Sequence, residues 1–93
     1  MSKKATKLDK LRAQIDAVDK IILSMLAKRI QLVTAIGKYK RANNMATISP
    51  KRRDALKRTW TTRAKTLKIP ASLVQEIFEL IHNYSVLVEK NTR

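Results

Sequence analysis

The chain has 93 residues, enough for one small domain with only a modest core if it stays monomeric. It carries no cysteine and a single histidine, His82, which excludes disulfide and thiolate chemistry and leaves a histidine-based metal site almost nothing to work with. Lysine and arginine exceed the acids by 14, and a charge of that size points to anionic counterparts: nucleic acid, acidic surfaces or small anions.

One glycine, two prolines, few aromatics and no β-branched run argue for an all-α chain. "MSKKATK", residues 1–7, reads as a basic N-terminal tail with no apolar signal segment behind it. No stretch approaches the roughly 18 apolar residues of a membrane span, so a cytoplasmic location is expected. The first helix is predicted from about Leu8 to Arg41. Its apolar positions (Leu8, Leu11, Ile15, Val18, Ile22, Met25, then Leu32, Ile36 and Tyr39) alternate spacings of three and four, the mark of one helical face. At ~1.5 Å per residue this helix is roughly 50 Å long. A compact globule of this chain length would be only about 32 Å across. A second copy is the economical cover for the excess stripe, and a homodimer is expected. "ANNMAT" (42–47) forms the loop, its asparagines tolerating turn conformations. Ser49-Pro50 then caps and starts helix two, which carries Leu56, Trp60, Ala64 and Leu67 on one face. "LKIP" closes it, and helix three, from Pro70 or Ala71, repeats Leu73, Ile77, Leu80 or Ile81, Tyr84 and Val88. The helical domain is assigned to residues 8–90, with 91–93 as a C-terminal tail.

Candidate functional residues are those that break the local rules. Arg29 occupies a seam position where a leucine belongs. Lys40, eleven residues on, returns to within roughly 20° of it, with Leu32 and Ile36 between them. Two cationic arms flanking an apolar floor suit a small acidic molecule with an apolar ring. In "SPKRRD", Lys51, Arg52 and Arg53 crowd a helix start whose free N–H groups favour anions. Ser85 and Glu89 lie one turn apart beside the apolar stripe of helix three, and His82 reads as a boundary residue one turn earlier. Arg12 lies 17 residues from Arg29, about 26 Å along the helix, so the two reach one small ligand only from different chains.

"LRAQIDAVDKIILSMLAKRIQLVTAIGKYK", "SPKRRDAL" and "IPASLVQEIFELIHNYSVLVE" resemble the first helix, the second-helix start and the third helix of the all-helical chorismate mutases. The likeness covers about residues 8–90, and its combined pattern is specific: LR-x-x-ID-x-x-D, an arginine seventeen residues after the first, then GK-x-K. The resemblance implies an intertwined dimer of three-helix chains, with two active sites each built from both subunits. It implies that Arg12 reaches a substrate carboxylate across the interface, that Arg29 binds the other carboxylate, and that Lys40 approaches the ether oxygen. Arg52 would contact substrate, Ser85 would place a hydroxyl near it, and Glu89 would make a second contact to the ether oxygen. Conversion of chorismate to prephenate is pericyclic and calls for no nucleophile, metal or cofactor.

Three departures from the family pattern bear on substrate. Glu89 stands where many members carry glutamine and the fungal ones glutamate, and it must be protonated to donate a hydrogen bond to the ether oxygen. Arg53 replaces a glutamate that binds the substrate's ring hydroxyl, and Ser49 replaces a nearby aspartate. They leave room for an alternative: a branch of the same fold that removes pyruvate from isochorismate, whose "IHWY" is similar to "IHNY" here. A further alternative is a basic helical nucleic-acid binder, with Trp60 available for stacking. It leaves Arg29 unexplained and is not favoured. The surplus charge would also suit an acidic protein partner.

Overall fold

Thr6 and Asp9 open the first helix by a reciprocal cap. The Asp9 N–H donates to Thr6 Oγ1 at 3.0 Å, and the Thr6 N–H donates to Asp9 Oδ2 at 3.2 Å. With no proline to stop it, α1 then runs Lys7–Ala42, one residue beyond the expected span at each end. The structure, a computed structural model, describes residues 6–92. The tail assigned to residues 1–7 therefore lies mostly outside the described residues, as does residue 93.

The end of α1 is closed by Asn44, whose φ of 54° is left-handed. The Asn44 N–H donates to the Arg41 carbonyl at 3.3 Å and the Met45 N–H to the Lys40 carbonyl at 2.8 Å. This pair of bonds satisfies the last carbonyls of a helix and turns the chain away, and asparagine adopts the required backbone at low cost. The second helix, α2 (Pro50–Thr66), starts as the sequence predicts: Ser49 Oγ accepts from the Arg52 N–H, with proline in the first turn. Its end differs in detail from the proline-based expectation. The reversal falls on Lys68, at φ 58°, two residues before Pro70. The Lys68 N–H bonds the Lys65 carbonyl at 3.2 Å and the Ile69 N–H bonds Ala64 at 2.9 Å. Both helix ends thus use one device, but here a lysine occupies the position that suits glycine. The third helix, α3, spans Ala71–Asn91. Among the described residues there is no strand.

The chain divides into two compact units, residues up to Gln31 and residues from Leu32 onward. In the second unit α2 packs against α3. Val33, Ala64, Val74 and Phe78 form the buried apolar core, with Phe78 only 2% exposed. Trp60 meets the Phe78 ring edge-on at 5.4 Å, His82 stacks on it at 5.6 Å, and the Arg53 guanidinium lies 5.8 Å from its centre. Arg53 also donates to Glu79 of α3, and Lys57 lies 3.8 Å from the same carboxylate. Arg53 and Lys57 are therefore answered by an acid of another helix, beside Asp54 of α2 itself, 3.9 Å from Arg53. In the first unit, Leu8, Leu11, Ile15, Val18, Ile22 and Met25 are each 46–58% exposed, so the apolar stripe of α1 is open in one chain. No helix among the described residues is long and apolar enough to cross a membrane.

Two outcomes follow for stability. Lys68→Gly removes a side chain from a left-handed backbone that costs about 1–2 kcal/mol for a non-glycine residue. Offset by the extra freedom of glycine in the unfolded chain, the net gain is about 1 kcal/mol, a rise of roughly 4–8 °C in the melting midpoint. Separately, the hydrogen bond from Arg53, with the charges of Arg53, Lys57 and His82, holds the Glu79 carboxyl below its ordinary value of 4.5 against partial desolvation. A carboxyl lowered in the folded state contributes stability above its unfolded value and loses it as pH falls through the lowered one. Denaturant titrations from pH 6 to pH 3 will show wild-type stability falling below about pH 4.5. Glu79→Gln will flatten the part of that fall due to this group.

Candidate functional site

Lys40 sits in the last turn of α1, where its carbonyl is already taken by the turn that ends the helix. Its ammonium crosses to α3 and donates to Glu89 Oε1 at 2.7 Å, and a second N–H donates to the Thr47 carbonyl at 3.0 Å. The Lys40 and Glu89 side chains are 21% and 12% exposed, so the contact is largely withdrawn from solvent. A lysine ammonium has three donors. With two engaged, the third is available to an acceptor in the adjoining space.

That space is a cavity of about 310 Å³ bordered by Gly37, Lys40, Arg41, Asn44, Thr47 and Glu89. Its size is at the lower end of the range of small-molecule sites. Lys40 and Glu89 compensate each other, and Arg41 adds a positive charge at the rim. A fixed cation, a carboxyl group and hydrogen-bonding backbone around a small cavity can hold an anionic molecule and stabilise negative charge developing on an oxygen. Among the described residues no three His, Cys, Asp or Glu side chains cluster so as to hold a metal.

Of the residues singled out from the sequence, Lys40 and Glu89 touch directly. Ser85 lies one turn before Glu89 on α3 and donates its hydroxyl to the Ile81 carbonyl at 2.8 Å. Ile36 lies one turn before Lys40 and is 47% exposed. Ser49 is the cap of α2 and Arg52 its N–H partner, with the Arg52 side chain in solvent. Arg53 is engaged by Glu79 and lies over Phe78, and His82 stacks on the same ring. Arg29 is half-buried and Arg12 exposed on α1.

Two contributors, Gly37 and Thr47, carried no assigned role in the sequence. Gly37 appears there only as part of the GK-x-K motif, yet it is buried and packs on the backbone of Glu89. Its signal was legible: a lone glycine inside a helix costs about 1 kcal/mol relative to alanine and calls for a reason. Asn44 shapes the turn that leads to Thr47, and Thr47 acts through its carbonyl, which any residue type would supply.

Residues 11–90 match the family described as chorismate mutase type II. Over 84 residues, 90% of this chain, it is 31% identical to the T-protein of Enterobacter agglomerans, of which it covers 22%. Over 70 residues, 75% of the chain, it is 30% identical to the T-protein of Haemophilus influenzae, of which it covers 19%. The chain therefore spans about a fifth of the length of the curated relatives it matches.

Proposed function

The chain belongs to the chorismate mutase type II family of isomerases, and from that premise we propose that it converts chorismate to prephenate in aromatic amino acid biosynthesis. The observation that carries this reading is the Lys40–Glu89 contact at the edge of a small cavity. In the rearrangement a carbon–oxygen bond of the ether breaks as a carbon–carbon bond forms. No proton is transferred and no nucleophile takes part. The protein's work is to hold a folded conformer and to favour negative charge on the ether oxygen. Holding reacting atoms in place contributes up to ~7–11 kcal/mol in favourable intramolecular cases. A preorganised donor in a water-poor site is worth roughly 3–4 kcal/mol more.

Lys40 is assigned to the ether oxygen as the resemblance implies, and its bonds to Glu89 and the Thr47 carbonyl leave one of its three donors for that contact. The resemblance gives Glu89 a second contact to that oxygen. As the resemblance implies, Arg12 of the partner and Arg29 are assigned to the two substrate carboxylates, with Arg52 and Ser85 as further substrate contacts. Arg53, engaged by Glu79, does not bind the ring hydroxyl in this reading.

The functional unit is proposed to be a homodimer in which a second copy covers the open stripe of α1 and brings Arg12 to its partner's site. Support comes from the exposure of eight large apolar side chains between Leu8 and Met25, a patch that soluble monomers rarely leave bare. Cytoplasmic residence belongs to the same proposal. Neither the lyase nor the nucleic-acid reading gains support from the relatives.

Incubating the purified protein with chorismate and, separately, with isochorismate tests the reading. Prephenate from chorismate is expected; salicylate and pyruvate from isochorismate would replace the mutase by the lyase. Lys40→Met is expected to lower kcat about 10²–10³-fold, the range for removing one such donor. Glu89→Gln, whose amide donates at any pH, is expected to keep kcat within about tenfold of wild type.

A further inference from the structure

We propose that Gly37 is a positioning residue whose absent side chain sets the separation of Lys40 and Glu89. The backbone of Gly37 does not need glycine for its conformation, since it has no positive φ. What it needs is room. A Cβ placed there would lie 3.1 Å from Glu89 Cα, 3.2 Å from the Glu89 carbonyl oxygen and 3.2 Å from Thr92 Cβ. Two of these three atoms are backbone, and both belong to the residue that bonds Lys40. They cannot rotate away, so a side chain at position 37 forces α1 and α3 apart by a few tenths of an ångström at that point.

The Lys40 ammonium cannot simply follow. It is tethered on its other side to the Thr47 carbonyl, at 3.0 Å, in the loop that the Asn44 turn directs. Moving Glu89 away therefore stretches the 2.7 Å contact rather than translating the pair. Gly37 borders the cavity without a side chain of its own, and its effect on the pair is exerted through the distance between helices. The catalytic consequence rests on the mutase reading, whereas the geometric one does not.

Gly37→Ala in the 93-residue chain tests both. A crystal structure of the variant is expected to show the Lys40 Nζ–Glu89 Oε1 distance beyond ~3.2 Å, the outer limit of a good hydrogen bond. Because a displacement of 1 Å can cost about 10²-fold, kcat should fall roughly tenfold with KM within about threefold. In a Glu89→Ala background the same substitution should change kcat by less than about threefold, since the pair it acts through is gone. If Gly37→Ala prevents folding, Gly37→Ala/Thr92→Gly removes the Thr92 contact while keeping both backbone contacts, and should show the same lengthening. An unchanged distance and kcat together with a raised melting midpoint would overturn the proposal, because alanine would then merely be the better helix former. An undiminished fall in kcat in the Glu89→Ala background would also overturn it. If wild type makes no prephenate, the mutase reading fails, and the distance alone decides the role of Gly37.

Discussion

The ammonium of Lys40 joins three parts of the chain: the end of α1, the loop that follows it, and the last turns of α3. Its bonds to Glu89 and to the Thr47 carbonyl are made in a setting where neither side chain is more than about a fifth exposed. A cation in that position needs its donors answered, because a polar group withdrawn from water without partners costs about 1–3 kcal/mol, and a charged one more. The structure answers two of the three donors, with Glu89 and the Thr47 carbonyl. Three features are arranged around this requirement: the glycine that lets the helices meet, the left-handed asparagine that turns the loop back, and the carboxylate that faces the lysine.

Charge is handled locally in a protein whose cations outnumber its acids threefold. Each well-placed acid therefore has an assignable task. Asp9 caps α1, Glu89 answers Lys40, and Glu79 binds Arg53 and lies near Lys57. The Arg53–Glu79 bridge is also a packing device, since the same guanidinium lies over Phe78, the most buried ring of the core. That second commitment separates Arg53 from its sequence neighbour Arg52, whose side chain stays in solvent. Two adjacent arginines thus have different fates because one faces α3 and the other does not.

The core itself is small. Four buried apolar residues, with Trp60 and His82 packed on Phe78, hold the second unit together, while the long stripe of α1 contributes little burial within one chain. That half-open face is what the proposed second copy would cover.

The sequence by itself determined the helices. Spacings of three and four, the Ser49-Pro50 start and the asparagine turn are local signals, and local signals survive without tertiary context. Lys40 and Glu89 were legible too, as polar residues close to apolar stripes and as members of a recognisable pattern. Tertiary structure alone decided that these two meet at 2.7 Å, that Arg53 turns to Glu79, and that a backbone carbonyl of the loop holds the lysine. It also decided that the reversal after α2 falls on Lys68, a residue whose type does not announce a left-handed backbone. For the contacts the physical reason is common. Periodicity fixes which face a residue occupies, whereas contact between faces depends on how closely two helices approach, which local spacing does not state.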